Sequence, residues 1–200
     1  MMLPTHAVVG LAVASPLLVF APEHAAAALT GGLFGGVLPD LDLYAGHRRS
    51  LHYPSGYTLA ALPVGVAAAL FPSPLLVALA FLLVGAAFHC RMDRYGGGLE
   101  LRPWEGTSER AVYDHVRGRW RRPKRWIPYD GSVEDVLLLA VLGVPLAFVL
   151  PVPFEWIAAG ALLVGVTYGL LRRWLATLAP TVFEKVPEPM SEYVPERYRE

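Results

Sequence analysis

The residues of this chain best suited to chemistry are histidines and aspartates at the ends of apolar segments. His89 and Asp93 have i, i+4 spacing, which on a helix places both side chains on one face with about 5 to 6 Å between their Cβ atoms. Asp40 and Asp42 follow Pro39, a residue that disfavours helix immediately before it, and an extended chain here would point both carboxylates the same way. Each pair is therefore spaced to chelate one metal ion.

Two further histidines also lie at the ends of apolar segments: His6 near the start of the first and His52 just before the third. They complete the set of candidate metal ligands. Mixed imidazole and carboxylate ligands suit zinc, manganese or iron, and a single cysteine, Cys90, excludes a Cys-rich structural zinc module. The sequence thus predicts a divalent metal cofactor, with zinc or manganese favoured. The candidate metal ligands are His6, Asp40, Asp42, His52, His89 and Asp93. For any one pair taken alone, an ion pair or a hydrogen-bonded helix cap is the alternative interpretation.

The expected chemistry of such a centre is hydrolysis. A divalent metal lowers the pKa of a bound water and polarises the bond to be cleaved, and a carboxylate left uncoordinated can act as general base. The candidate catalytic residues are Asp40, Asp42 and His52.

The composition predicts that these residues are positioned by membrane helices. Of 200 residues, 54% are hydrophobic and only 17% are charged, with a mean hydropathy of +0.43, whereas a soluble domain has about 25% charged residues. Seventeen basic residues balance seventeen acidic ones, which excludes a generally basic nucleic-acid binder and an acidic disordered chain. The expected fold is all-α, a polytopic bundle of about six hydrophobic helices.

Six apolar blocks of 14 to 18 residues form three hairpins with Pro-marked turns, somewhat shorter than the roughly 20 residues that cross a bilayer. The blocks are Pro4–Ala21, Ala25–Leu38, Tyr57–Phe71, Leu75–Cys90, Val136–Leu150 and Phe154–Leu171. The second block is either a span or a short helix buried among the others. Its four glycines (Gly31, Gly32, Gly35 and Gly36) form overlapping G-x-x-x-G pairs that permit close backbone packing.

The basic residues predict the orientation. None lies in the hairpin turns, so six spans place all of them on one face, which the positive-inside rule makes cytoplasmic. We therefore expect a multi-pass plasma-membrane protein with both termini in the cytoplasm. A signal peptide is the rival interpretation of the first block, but a basic n-region is missing. Residues 1–186 form one helical membrane domain with a cytoplasmic loop over 91–135, and 187–200 form a Pro/Glu-rich tail.

Arginines near the candidate ligands suggest a charged substrate. Arg48, Arg49, Arg91, Arg94 and Arg102 flank the predicted site. They are suited to clamp a phosphate, with ordinary juxtamembrane charge as the alternative. We take Arg48, Arg49, Arg91 and Arg102 as candidate substrate-binding residues. The basic and Trp-containing stretch 117–126 fits anionic headgroups better than nucleic acid. Expected partners are membrane lipids and a small-molecule or lipid-related substrate, with no nucleic acid.

Over residues 1–105 the chain resembles the YdjM-like family of predicted membrane-bound metal-dependent hydrolases. The motifs that carry the resemblance are Thr5-His6 with Gly10, Leu38-Pro39-Asp40-Leu41-Asp42, His47-Arg48 through His52, and His89-x-x-x-Asp93. The resemblance implies a metal site at His6, Asp40, Asp42, His52, His89 and Asp93. Arg49, Leu51 and Tyr53 stand where the family pattern has glycine, threonine and serine.

Three functions are compatible with this pattern. The first is a membrane-bound metal-dependent hydrolase with its site at the cytoplasmic interface, acting on a phosphoester or lipid-related substrate. The second is a metal or proton-coupled transporter, which the clustering of ionisable residues at one end of the spans disfavours, because transporters bind near the midplane. The third is a structural membrane protein whose His and Asp residues only fasten helices together.

Overall fold

The computed structural model describes residues 1–191, 194 and 198, and this part of the chain is mostly helical. That confirms the helical class. The helices are α1 (Leu3–Ala14), α2 (Leu17–Phe20), α3 (Pro22–Val37), α4 (Pro54–Leu70), α5 (Pro74–Tyr95), α6 (Val133–Val149), α7 (Phe154–Phe183) and α8 (Glu188–Ser191), with 3₁₀ helices at Leu38–Tyr44 and Pro103–Glu105.

Each predicted apolar block is mostly helical, and prolines mark many of the helix ends. Helices α3, α4 and α5 begin at Pro22, Pro54 and Pro74, the first-turn position where the missing N–H of proline costs nothing. The first block is divided into α1 and α2 at Pro16, since proline removes a helical hydrogen bond there.

Three helical segments of the described residues are long and apolar enough to cross a membrane: Leu3–Phe20, Pro74–Tyr95 and Phe154–Phe183. The apolar helix α4 is shorter. Large hydrophobic side chains remain exposed on the outside of these helices, including Phe20, Phe71 and Leu170. An apolar exterior of this kind is compatible with a membrane protein.

The glycines of the second apolar block pack it closely against two other helices, as predicted, while Ala26, Thr30 and Phe34 on its outer face stay exposed. Helix α3 packs between α1 and α5, and the approach is so close that a Cβ on Gly32 would lie 2.3 Å from the carbonyl oxygen of Gly10. On the other side, a Cβ on Gly35 would lie 2.2 Å from the carbonyl oxygen of Leu82. This packing brings the ends of α1, α3 and α5 together.

The remaining helices surround this three-helix core. Helix α4 packs against α5, helices α6 and α7 pair with each other, and α1 contacts both α6 and α7. The buried carboxylate of Asp135, at the start of α6, accepts hydrogen bonds from the backbone N–H of Met2 and the hydroxyl of Thr5. It thereby fixes the start of α1.

The polar stretch after α5 is folded rather than irregular. It contains an antiparallel pair, β1 (Val112–Asp114) and β2 (Arg119–Arg121), in which Tyr113 lies opposite Trp120. This small strand content is the one departure from the all-α expectation in the described residues. The hairpin is tied to the loop before α4 by a hydrogen bond from the Tyr113 N–H to the Arg48 carbonyl. Of the predicted tail 187–200, all but residues 187–191, 194 and 198 lies outside the described residues.

Candidate metal centre

Four side chains from three segments meet in one buried group. Asp40 comes from the first 3₁₀ helix, His52 from the loop before α4, and His89 with Asp93 from the last turns of α5. Each offers one ligand atom, and these four atoms all lie within 4.8 Å of one another. His89 Nε2 lies 3.3 Å from Asp40 Oδ1 and 3.4 Å from Asp93 Oδ2. His52 Nε2 lies 3.2 Å from the same Asp93 oxygen.

Hydrogen bonding fixes the tautomer of His89. Its Nδ1 lies 2.7 Å from the carbonyl oxygen of Gly36, and because a carbonyl can only accept, Nδ1 carries the proton. Nε2 is then an acceptor whenever the ring is neutral, yet it faces two carboxylate oxygens and makes no hydrogen bond within the described residues. A cation placed between these three atoms removes the repulsion.

His52 is held in a similar way, except that its Nε2 is within hydrogen-bond distance of Asp93 Oδ2. Its Nδ1 lies 2.9 Å from Asp42 Oδ2, so the carboxylate accepts the Nδ1 proton and Nε2 again points at Asp93. Burial disfavours the charged imidazolium, but the contacts with Asp42 and Asp93 outweigh it and raise the pKa of His52 above its ordinary value. The position therefore favours a positive charge, which a proton or a metal ion can supply. A metal-bound imidazole held by a carboxylate on its other nitrogen is a common arrangement in metalloproteins.

Asp42 lies behind His52 rather than in the group of four. The prediction of an extended segment that points Asp40 and Asp42 the same way is wrong, because the chain there is a 3₁₀ helix. With three residues per turn, side chains two positions apart point in different directions. Asp42 therefore acts on the centre through His52, and we assign it a positioning role rather than that of a direct ligand.

The carboxylate of Asp42 also organises the loop that carries His52. It accepts hydrogen bonds from the backbone N–H groups of Arg48, Arg49 and Leu51, and His47 Nδ1 lies 3.1 Å from its Oδ1. Burial favours the protonated acid, but hydrogen bonds from His47 and His52 hold the pKa of Asp42 well below its usual range.

Replacing Asp42 with asparagine is expected to weaken metal binding without abolishing it. The neutral amide keeps the size of the side chain but accepts the His52 proton less strongly, and loss of such an outer partner lowers metal affinity by about 10- to 100-fold. Competition with a chromophoric chelator measures the change. If the Asp42→Asn protein binds no metal at all while remaining folded, Asp42 is a direct ligand and this assignment fails.

His6 lies at the edge of the group. Its ring stacks on that of His89 with 3.7 Å between centroids, and its Nε2 lies 3.2 Å from Asp93 Oδ1. That oxygen also faces the Arg48 guanidinium and the amino group of Met1. Asp93 thus directs Oδ2 to the two imidazoles of the centre and Oδ1 to positively charged groups. The carboxylates of Asp40 and Asp93 balance these two cations while the imidazoles are neutral, and Asp42 behind His52 adds one further negative charge. The surroundings of the centre therefore favour a bound cation.

Solvent reaches the centre beside Asp40. The side chain of Asp40 is 19% exposed, whereas those of His52, His89 and Asp93 are 1% exposed or less. A ligand that enters from this side meets Asp40 first. The arrangement is a buried donor set with one accessible edge, as in metal sites that keep a coordination position open.

The four candidate substrate-binding arginines are not gathered at this edge. Arg48 is buried, has a left-handed backbone (φ +60°) and donates to the carbonyls of Gly97 and Ala111, so it fastens the loop. The Arg49 guanidinium lies over the Tyr113 ring. Arg91 contacts Thr58 on α4, and Arg102 pairs with Glu105 near the surface.

The backbone carbonyl of Gly36 orients His89, and the sequence does not predict this contribution. The glycine pattern predicted close packing of α3 but not this hydrogen bond, because a carbonyl acceptor is present at every residue. The one sequence feature that could have indicated this acceptor is the position of Gly36, four residues before Asp40.

Comparison with models of protein families, with curated proteins and with solved structures finds no match for this chain. The chemistry of the centre must therefore be inferred from its own geometry. Two imidazoles and two carboxylates form a group that could hold a metal ion.

Proposed function

We propose that this protein is a membrane-bound metal-dependent hydrolase whose centre is formed by Asp40, His52, His89 and Asp93. The observation that carries the proposal is the orientation of the two histidines. His52 donates its Nδ1 proton to Asp42 and His89 donates its own to the Gly36 carbonyl, so both Nε2 atoms face carboxylates. The resemblance to the YdjM-like family supports the same activity.

The roles of the residues follow from their surroundings. A bound divalent ion supplies Lewis acidity, which lowers the pKa of a water and polarises the bond to be cleaved. His52 and His89 are buried and held by hydrogen bonds, so we assign them to binding the metal ion and not to proton transfer. Asp40 faces the two histidines through Oδ1 and is the member that solvent reaches. We therefore assign its second oxygen the acceptance of a proton from the attacking water, while Oδ1 binds the ion.

The membrane arrangement belongs to the same proposal. We propose that α1 with α2, and α3 to α7, form a six-helix bundle in three hairpins in the plasma membrane, with both termini and the metal centre on the cytoplasmic side. The absence of basic residues from the hairpin turns supports this orientation. A phosphoester or lipid-related substrate then reaches Asp40 by lateral diffusion.

The activity is tested with the full chain purified in detergent and loaded with zinc or manganese. Aryl phosphomonoesters and phosphodiesters and short-chain phospholipids serve as substrates. We expect metal-dependent hydrolysis, with kcat at equal metal occupancy lowered by about 100-fold or more in Asp40→Asn, because general-base catalysis contributes on that scale. The matched control is Glu109→Gln, which neutralises an exposed carboxylate in the loop far along the chain.

Two results would contradict the hydrolase. Metal-loaded protein that cleaves none of these substrates but carries the ion across sealed proteoliposomes is a transporter. Protein whose stability and behaviour do not change on chelation has only a structural His/Asp cluster.

A further inference from the structure

A second feature lies beside the metal centre, on the flank of α5. It is a cleft of about 610 Å³ between the start of α4, the end of α5 and the β1–β2 hairpin, a volume typical of a small-molecule site. Cys90 and Arg94 line it, and on the helix these residues lie about 100° round from His89 and Asp93. The cleft is therefore distinct from the metal centre, although the two share a helix.

The walls of the cleft are strongly basic. Four arginines line it (Arg91, Arg94, Arg117 and Arg121), against one carboxylate, that of Asp114. Asp114 is engaged by two of them, with 2.9 Å to Arg117 Nη1 and 3.3 Å to Arg121 Nη1. One carboxylate cannot balance four guanidinium groups, so the cleft carries a net charge of about +3.

Arg94 shows that part of this basic wall has no partner among the described residues. Its Nε is buried and has no hydrogen-bond partner among the described residues, although a buried donor without a partner is costly. Burial and the neighbouring guanidinium groups of Arg94 and Arg117 also lower the pKa of Arg121, despite the presence of Asp114. Both observations point to an anion as the missing partner.

Exposed apolar side chains line and adjoin the cleft. Leu59 lines it and is exposed, and Leu62 and Val66 continue the same exposed stripe along α4 at i, i+3 and i+7 spacing. On the hairpin side Val116 is also exposed. A ligand with its anionic group among the arginines can therefore lay an apolar portion along α4.

We propose that this cleft binds a phosphoryl group, held by Arg91, Arg94 and Arg121. Guanidinium groups match phosphate oxygens with paired, charge-assisted hydrogen bonds. The phosphoryl group belongs either to a lipid headgroup, which the apolar stripe on α4 favours, or to a soluble phosphate ester. The site does not depend on metal at the neighbouring centre, so it stands or falls separately from the hydrolase.

The test measures binding without turnover, by calorimetry on the full chain in detergent and phosphate-free buffer, after chelation of metal. The probes are dihexanoyl phosphatidic acid, dihexanoyl glycerol and glycerol 3-phosphate. Dihexanoyl phosphatidic acid is expected to bind, and Arg94→Gln and Arg91→Gln to weaken its binding by about tenfold or more, because each removes a charge-assisted hydrogen bond.

The matched control is Arg122→Gln, which removes the same charge directly after β2, at a side chain that is 83% exposed and outside the cleft. It is expected to leave affinity within about twofold, as for a surface charge. Arg91 is exposed and donates a hydrogen bond to the hydroxyl of Thr58. If Arg94→Gln does not fold, Arg91→Gln tests the proposal instead. Thermal unfolding of each variant checks this.

The outcomes separate the sources. Tighter binding of the lipid than of glycerol 3-phosphate supports a headgroup site, and equal binding supports a site for soluble phosphate esters. The proposal is overturned if dihexanoyl glycerol binds as tightly as dihexanoyl phosphatidic acid, or if Arg122→Gln loses as much affinity as the cleft variants. Either result means that the arginines are ordinary juxtamembrane charge.

Discussion

Replacing His89 with alanine is expected to leave the purified protein without bound metal. The side chain supplies one of four donors, and its Nε2 lies within 3.4 Å of both carboxylates of the centre. Without it, Asp40 and Asp93 face each other with only His52 to hold a cation. The loss should exceed the roughly 100-fold that removal of an outer partner costs. Elemental analysis of protein purified in detergent measures it.

The control for this change is His115→Ala. His115 is exposed and hydrogen-bonds through Nε2 to the Arg49 carbonyl, so its loss also removes an imidazole but leaves the centre intact. We expect near-stoichiometric metal in wild type and in His115→Ala, and none in His89→Ala. If His89→Ala retains its metal, the ion is held elsewhere. If wild type binds none, the His/Asp group only joins helices.

The parts of the site that the sequence predicts are those set by local geometry. His89 and Asp93 are found from i, i+4 spacing because the surrounding apolar block is long enough to fix a helix. The close packing of α3 against α1 and α5 is found from its glycines, since overlapping small-residue pairs permit close backbone approach between apolar helices.

The parts that the sequence does not predict depend on how the chain turns after α3. An extended Asp40–Asp42 segment and a 3₁₀ helix are both compatible with the preceding proline, and the choice between them decides whether Asp42 faces the centre or His52. The role of Arg48 also depends on how the chain folds and not on local spacing. Its proximity in sequence to His52 suggests a substrate contact, but its guanidinium contacts the carbonyls of Gly97 and Ala111 and the carboxylate of Asp93, all distant in the chain.

Because α3 is both a packing element and the source of the His89 acceptor, folding and metal binding are coupled at Gly36. A Cβ at this position would lie 2.4 Å from the carbonyl oxygen of His6. The obstacle is backbone, which cannot swing aside as a side chain can, so α1 and α3 must separate. Any separation also displaces the Gly36 carbonyl from His89 Nδ1.

Gly36→Ala is therefore expected to cost about 3 kcal/mol or more in the free energy of unfolding, the upper range for overpacking, and to weaken metal binding at the same time. The control is Gly65→Ala on α4, where an added Cβ meets nothing within 4 Å. That change should stabilise the helix by about 0.5 to 1 kcal/mol and leave metal affinity unchanged. Unfolding in detergent and chelator competition, run on both variants, measure the two effects. A Gly36→Ala protein that loses stability but binds metal with wild-type affinity would show that His89 is oriented without the Gly36 carbonyl, and the coupling would then be absent.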